Sequence, residues 1–211
     1  MAMATELKMQ LWHRIDSRAI KCVITSVTKD PRNILNARDY EKRYKDMLMQ
    51  LAGKENHGKM WDEVNIVINS QGGATDSAYG LLSALWFCYK KMKMKTQILI
   101  DGTCASAATY IACGFCKKKV PVYITPGSKY IIHNPKRQVF HRRKGGMWDA
   151  IVKAGSKATT RDMVNMYANR TGQSKKQIRE WMDANKCFTA EEAVRYGFCD
   201  KVIQKHEFYW W

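Results

Sequence analysis

The rhythm of apolar and polar positions changes several times along this chain, and the changes divide it into elements. Ala19-Ile20-Lys21-Cys22-Val23-Ile24-Thr25-Ser26-Val27 alternates as a half-buried strand does, and Asp30-Pro31-Arg32-Asn33 breaks it. From Ala37 to Leu51 the residues Tyr40, Tyr44, Met47, Leu48 and Leu51 recur at helical spacing. Gly53 to Gly58 reads as a loop. Val64 to Ile68 is rich in β-branched residues and predicts a short strand ending in Asn69-Ser70-Gln71-Gly72-Gly73, where glycine permits positive φ. Asp76 to Lys91 predicts a helix and Thr96 to Asp101 a strand. A turn at Gly102-Thr103-Cys104 then leads into a small-residue helix from Ala105 to Cys113. Strands are expected at Val120 to Ile124 and Lys129 to Ile132, and helices from Trp148 to Asn169, from Gly172 to about Asp183, and from Ala190 to Tyr196.

Strands alternating with helices predict a mostly parallel sheet with right-handed crossovers. The first 18 residues alternate only weakly and read as an arm. Residues 19–204 read as one domain and 205–211 as an aromatic tail ending in Phe208-Tyr209-Trp210-Trp211. Sites on such sheets form where strands end at their carboxyl edges. Two strand-to-helix turns fall there, Gln71-Gly72-Gly73 and Gly102 to Ala108.

Composition narrows the reading. In 211 residues, 45% apolar, no run approaches the roughly 20 apolar residues that span a bilayer. The first eight residues lack the basic-then-apolar form of a secretory signal. A cytoplasmic protein without a membrane partner is expected. Seven cysteines are an odd number and argue against a disulfide framework. Cys113-Gly114-Phe115-Cys116 has redox-dithiol spacing but closes an apolar run instead of opening a helix, and no second pair would complete a zinc site. No metal or cofactor is expected. The formal charge is +17, with clusters at Lys90 to Lys95, Lys117 to Lys119 and Arg142 to Lys144. No zinc-finger or RNP-type motif accompanies it, so nucleic acid is not the expected partner.

The chemistry lies in the turns. A serine at a helix start among small residues, Cys104-Ala105-Ser106-Ala107-Ala108, sits near free backbone N–H groups and the positive end of a helix dipole. Taken alone, Ser106 reads as an N-cap or a close-packing residue. His133 follows Lys129-Tyr130-Ile131-Ile132 and so also lies at a strand's carboxyl edge. Serine turn, glycine turn and histidine together fit a hydrolase in which imidazole takes the hydroxyl proton.

These segments resemble the Clp protease proteolytic subunit family. Ile68-Asn69-Ser70-Gln71-Gly72-Gly73 is similar to its I-N-S-P-G-G, Gly102 to Ala107 to its nucleophile turn, and Ile132-His133-Asn134-Pro135 to its histidine strand. Thr171-Gly172-Gln173 resembles its late T-G-Q, and Thr189 to Asp200 its S-A-x-E-A-x-x-Y-G-L-x-D. The resemblance runs in order from Val64 to Val202, while the first 60 or so residues match poorly and look closer to divergent phage and mobile-element members. It implies a crotonase-like α/β fold assembling into rings, heptameric in the family, around a proteolytic chamber. It also implies Ser106 as nucleophile, His133 as base, the N–H groups of Gly73 and Ala107 as oxyanion hole, and Gly72 beside the substrate. Protein or peptide substrates would follow, with an AAA+ unfoldase or a phage capsid protein as candidate partners and capsid maturation as one role.

Two departures stand out. The family's third catalytic residue is an acid, and in register its place is held by Asn185. Asparagine can fix the imidazole tautomer but supplies no charge, and an Asp-to-Asn change in a serine-protease triad costs about four orders of magnitude. Asp183 is the alternative third member. The two differ by about 200° on a regular helix, so both cannot face His133. A Ser-His dyad, or a weakened ring-forming homologue acting as a scaffold, is the competing reading. An acyl-CoA enzyme of the crotonase type shares the expected fold, but the Ser106–His133 register disfavours it. After His133, Lys136 to Lys144 is basic where the family is glycine-rich.

Overall fold

The computed structural model describes residues 4–13, 19–29, 37–52, 62–115, 120–135 and 147–208. The chain runs β1 (Ala4–His13), β2 (Ala19–Lys29), α1 (Ala37–Ala52), β3 (Glu63–Ser70), α2 (Thr75–Lys90) and β4 (Lys95–Ala105). A 3₁₀ turn (Ser106–Ala108) leads into α3 (Thr109–Cys113), β5 (Val122–Ile124) and β6 (Lys129–Ile131). Then come α4 (Met147–Thr171), α5 (Lys175–Asp183), β7 (Cys187–Phe188), α6 (Ala190–Arg195), β8 (Lys201–Val202) and α7 (Lys205–Phe208).

The sheet has the order β1-β2-β3-β4-β5-β8, with β6 joining β4 and β7 joining β6. It is parallel from β2 through β5 and β8, as alternating strands and helices require, and antiparallel only at β1–β2 and β6–β7. β3 is buried on both faces. Val64, Ile66 and Ile68 join the main core with Leu81, Leu85, Ile98 and Ile111. Val67 packs with Leu99, Ile203 and Phe208 on the opposite face. Helix α3 is buried at every position, which its small and apolar sequence permits.

Two expectations change. The weakly alternating arm contains β1, paired along its whole length with β2 and contributing buried Met9 to the core. The predicted turn at Gly102-Thr103-Cys104 with a helix from Ala105 is instead strand. β4 continues to Ala105, and the helix starts only at Thr109. The reason is a bulge. Ile68 pairs Ile100 but Ser70 pairs Cys104, so β4 carries two extra residues. Gly102 sits there at φ +117, where a Cβ would lie 2.7 Å from Asn69 Oδ1. Before the bulge β4 pairs β5 through Ile98–Ile100, and after it β6 through Thr103–Ala105. One strand thereby serves two parallel neighbours, and its second half carries the serine to the end of β6.

The loop at 53–58, the basic runs at 117–119 and 142–144, Cys116 and residues 209–211 lie outside the described residues. The tail's described part is α7, whose Phe208 is buried edge-on to Tyr123 at 6.2 Å.

Candidate active site

Ser106 follows β4 directly and lies in the left-handed region, at φ +53. A non-glycine residue there is uncommon, costs about 1–3 kcal/mol, and persists only where its surroundings impose it. The surroundings do. Ala105 is held in the β4–β6 ladder opposite Ile131, and Ala107 and Ala108 are buried. Thr109 Oγ1 donates to the Ser106 carbonyl and meets Tyr167 Oη of α4 at 2.6 Å. The chain must therefore turn sharply at one residue, which leaves the half-buried Ser106 side chain at the tip of the turn.

The glycine turn lies against it. Gly72 has φ +93 and its N–H bonds Ser70 Oγ at 3.1 Å. A Cβ on Gly72 would lie 2.6 Å from the Ala105 carbonyl oxygen, 2.7 Å from Ser106 Cβ and 2.9 Å from Ala107 N. Gly72 is thus pressed against Ser106 and the Ala107 amide, and only glycine fits there. Two backbone segments therefore meet beside one serine.

His133 follows β6 and is half-buried. Its Nδ1 lies 2.6 Å from the Asn134 carbonyl oxygen. A carbonyl only accepts, so Nδ1 carries the proton and, in neutral imidazole, the lone pair is on Nε2. That is the tautomer a general base for serine needs. Among the described residues no hydrogen bond joins the Ser106 hydroxyl to the imidazole. Such bonds are often long before substrate binds.

The two candidates for third member take different places. β6 and β7 run antiparallel, Ile131 opposite Cys187, and the Ile132 N–H donates to the Lys186 carbonyl at 3.1 Å. The next pair along that register is His133 with Asn185. Asn185 stands at φ +50, and its side chain makes no hydrogen bond among the described residues. Its backbone closes α5: Asn185 N bonds the Met182 carbonyl at 3.2 Å and Lys186 N the Trp181 carbonyl at 2.9 Å. This pair of bonds with a left-handed residue is a Schellman cap, where asparagine serves when glycine is absent. Asp183, on the last turn of α5, accepts from Asn134 Nδ2 at 2.6 Å. It touches the histidine's neighbour, not the histidine.

Asn134 is the residue that sequence reasoning did not single out. The signal was present in the following proline, which confines Asn134 to extended conformations and so fixes where its carbonyl points. Beneath the site, Tyr130, Trp181, Phe188, Tyr196 and Phe198 form an aromatic cluster with centroid separations of 4.8–6.2 Å. It binds β6, α5, β7 and the segment after α6 into one mount. Burial pushes the Cys113 thiol, whose Sγ lies 2.9 Å from Tyr130 Oη, up to about 11, so it is no nucleophile near neutral pH.

Known proteins resemble the chain over most of its length. A family model described as Clp protease matches residues 18–206. The ATP-dependent Clp protease proteolytic subunit 1 of Protochlamydia amoebophila is 31% identical over 142 residues, 67% of this chain and 65% of that protein. The subunit of the same name from Corynebacterium glutamicum is 31% identical over 143 residues, 67% and 64% of the two chains. The chain thus spans just under two thirds of the length of these relatives. A ClpP1 mutant from Listeria monocytogenes superposes with a TM-score of 0.62 at 22% identity, covering 81% of this chain and 88% of that one, which shows the fold. With a bulged strand carrying a strained serine, a glycine turn against it and a histidine on the neighbouring strand, all within the matched span, the chain belongs to the Clp protease family.

Proposed function

We propose that the chain is a serine endopeptidase, with Ser106 as nucleophile and His133 as general base, working inside a self-compartmentalising ring. The observation that carries the reading is the contact between the two turns: Gly72 pressed onto a Ser106 held at φ +53. Strain at one serine, with a glycine that admits no Cβ beside it, is hard to explain by packing alone.

The steps follow from the chemistry of the groups. Nε2 of His133 takes the Ser106 hydroxyl proton as Oγ bonds the scissile carbonyl carbon. The N–H groups of Gly73 and Ala107 hold the oxyanion, with Gly72 beside the substrate backbone. The C–N bond breaks as the imidazolium returns its proton to the leaving amine. Water, deprotonated by the same imidazole, then bonds the acyl carbon, and the C–Oγ bond breaks as the proton returns from Nε2 to Ser106 Oγ. Among the described residues no helix is long and apolar enough to cross a membrane. The reading includes a cytoplasmic setting, a heptameric ring and protein or peptide substrates. An AAA+ unfoldase or a phage capsid protein is the partner to try first.

A fluorophosphonate probe tests it. The assembled protein should label, and Ser106→Ala and His133→Ala should each abolish labelling. A wild-type protein that assembles but does not label overturns the reading. It would favour the second one, a ring-forming scaffold, to which the uncharged Asn185 and the unjoined Ser106 and His133 point. Asn185→Asp, which offers His133 a carboxylate across the β6–β7 register, is then the variant in which labelling should be sought.

A further inference from the structure

We propose that Ser128 is a positioning residue for Ser106: together with Thr125 it holds the bulge of β4 that carries the serine to the end of β6. The inference deepens the peptidase reading above and rests on it for its purpose, though not for its first test.

A bulge takes residues out of the ladders on both sides of a strand. Asp101 and Gly102 have no partner in the registers that join β4 to β3, β5 and β6. A backbone N–H removed from its ladder needs another acceptor. For Gly102 that acceptor is Ser128 Oγ, at 2.8 Å. The bond lies inside the protein, since Ser128 is only 3% exposed and Thr125 only 7%. The two hydroxyl oxygens stand 2.7 Å apart, and Thr125 Oγ1 donates to Asp101 Oδ1 at 3.2 Å. Each hydroxyl has one proton to give. With that of Thr125 given to the carboxylate, Ser128 is the donor between the two. The bonds therefore run from the Gly102 amide through Ser128 and Thr125 to Asp101. They leave from one unpaired residue of the bulge and return to the other.

The two hydroxyls are themselves well mounted. Thr125-Pro126-Gly127-Ser128 is a tight turn, in which Ser128 N bonds the Thr125 carbonyl at 3.2 Å and Gly127 stands at φ +77. Proline in second place and a positive-φ glycine in third are the type II pattern. Thr125 N also bonds the Ile100 carbonyl at 2.9 Å, which ties the turn to β4 just before the bulge. Turn and bulge are in step. β5 ends at Ile124 opposite Ile100, and β6 begins at Lys129 opposite Thr103. Threonine and serine hold the first and last corners of the turn, and their side chains span the gap to the two bulge residues. Bulges re-aim the side chains that follow them, and only Thr103, Cys104 and Ala105 separate this one from Ser106. A slip of one residue would exchange the faces of these three and carry Ser106 away from Gly72. Ser128 bonds the strand and not the Ser106 hydroxyl, so what it supplies is position.

Amide hydrogen exchange, read by mass spectrometry on the assembled full chain, tests the positioning without requiring activity. Ser128→Ala leaves the Gly102 N–H without its acceptor. Exchange across residues 101–107 should speed by about tenfold, the factor that one lost buried hydrogen bond corresponds to, while β3 and α5 exchange as in the wild type. Ser128→Thr keeps the hydroxyl and should restore slow exchange. Fluorophosphonate inactivation gives the second reading. In Ser128→Ala its rate constant should fall about tenfold at unchanged probe affinity. Thr189→Ala, which loses stability at the α6 cap and leaves the bulge alone, should label at the wild-type rate. Should Ser128→Ala fail to assemble, Thr125→Val, which keeps the side-chain shape and removes the middle hydroxyl, should show the same local rise in exchange. Unchanged exchange at 101–107, a rise spread equally over the chain, or no restoration by Ser128→Thr would overturn the proposal. So would a Ser128→Ala protein that labels as fast as Thr189→Ala. If exchange behaves as expected while the wild type fails to label, the grip of Ser128 on the bulge stands and the peptidase reading falls.

Discussion

At φ +53, Ser106 has one residue in which to leave a strand and enter a helix, and the glycine facing it is held to the same tolerance. Gly72→Ala should therefore cost about 1–3 kcal/mol for its φ alone. It should also abolish fluorophosphonate labelling, because the new methyl would sit 2.7 Å from Ser106 Cβ and 2.9 Å from Ala107 N. Chemical denaturation beside labelling separates the two effects. Asn185 offers a second check at this scale. Asn185→Gly should leave the unfolding midpoint unchanged or raise it, since glycine is the preferred residue at a left-handed cap. Asn185→Asp places a negative charge at the negative end of α5 and should lower stability by about 0.3–1 kcal/mol.

Among the elements, α6 shows how a short segment is held in place. Thr189 accepts from Glu192 N at 3.2 Å, and Glu192 accepts from Thr189 N at 3.0 Å, a complete capping box for six helical residues. Thr189→Ala should cost about 1 kcal/mol, read by thermal unfolding. The Thr189 N–H is the largest of the influences that hold the Glu192 carboxyl below its ordinary range, and Lys186 adds attraction against slight desolvation. A folded value below the unfolded one means the contribution is present above the ordinary glutamate range, near about pH 4.3, and fades as pH falls through the lowered value. Glu192→Gln should accordingly show a shallower fall in unfolding temperature on acidification than wild type. At the other end of the chain, β1 became a strand because β2 offered it a full ladder, a long-range pairing that weak local alternation could not announce.

The whole molecule is tied together by a buried charge. Arg170 of α4 is 1% exposed; its Nε donates to the Phe198 carbonyl at 3.2 Å and its Nη2 to Asp200 Oδ2 at 2.7 Å. The same Asp200 oxygen accepts from Val122 N at 2.7 Å, so one carboxylate joins α4, β5 and the segment before β8. Asp200→Ala should destabilise by about 3–5 kcal/mol, because it leaves a buried guanidinium uncompensated, whereas adding Arg170→Met should recover much of the loss. Denaturant titration of the single and double variants measures the difference. Burial likewise raises the Cys88 and Cys113 thiols to about 11, with Cys22, Cys104 and Cys199 raised as well, while Cys187 is exposed. Thiols raised in the folded state stabilise it below the ordinary cysteine range, and that contribution is lost as pH climbs toward 11.

Much of this was written in local pattern. The β-branched run at 64–68, the helical spacing at 40–51 and the alternation of strand with helix specify a parallel α/β sheet, because side-chain period and crossover handedness are local properties. The positions of Ser106, His133 and the Gly72-Gly73 turn after strands follow from the same reading, and the family resemblance follows from the order of the motifs. Other features depend on pairing between distant residues and carry no local signature. The bulge at Gly102 exists because β4 must match both β5 and β6, and it converts an expected turn into strand. The hydrogen bond from Asn134 to Asp183 spans 49 positions and was invisible to spacing. Asn185, which in sequence register occupies the place of a catalytic acid, acquires its role as a cap only when the end of α5 is formed. Motifs name the groups that can react; tertiary contacts decide which of them hold the others still.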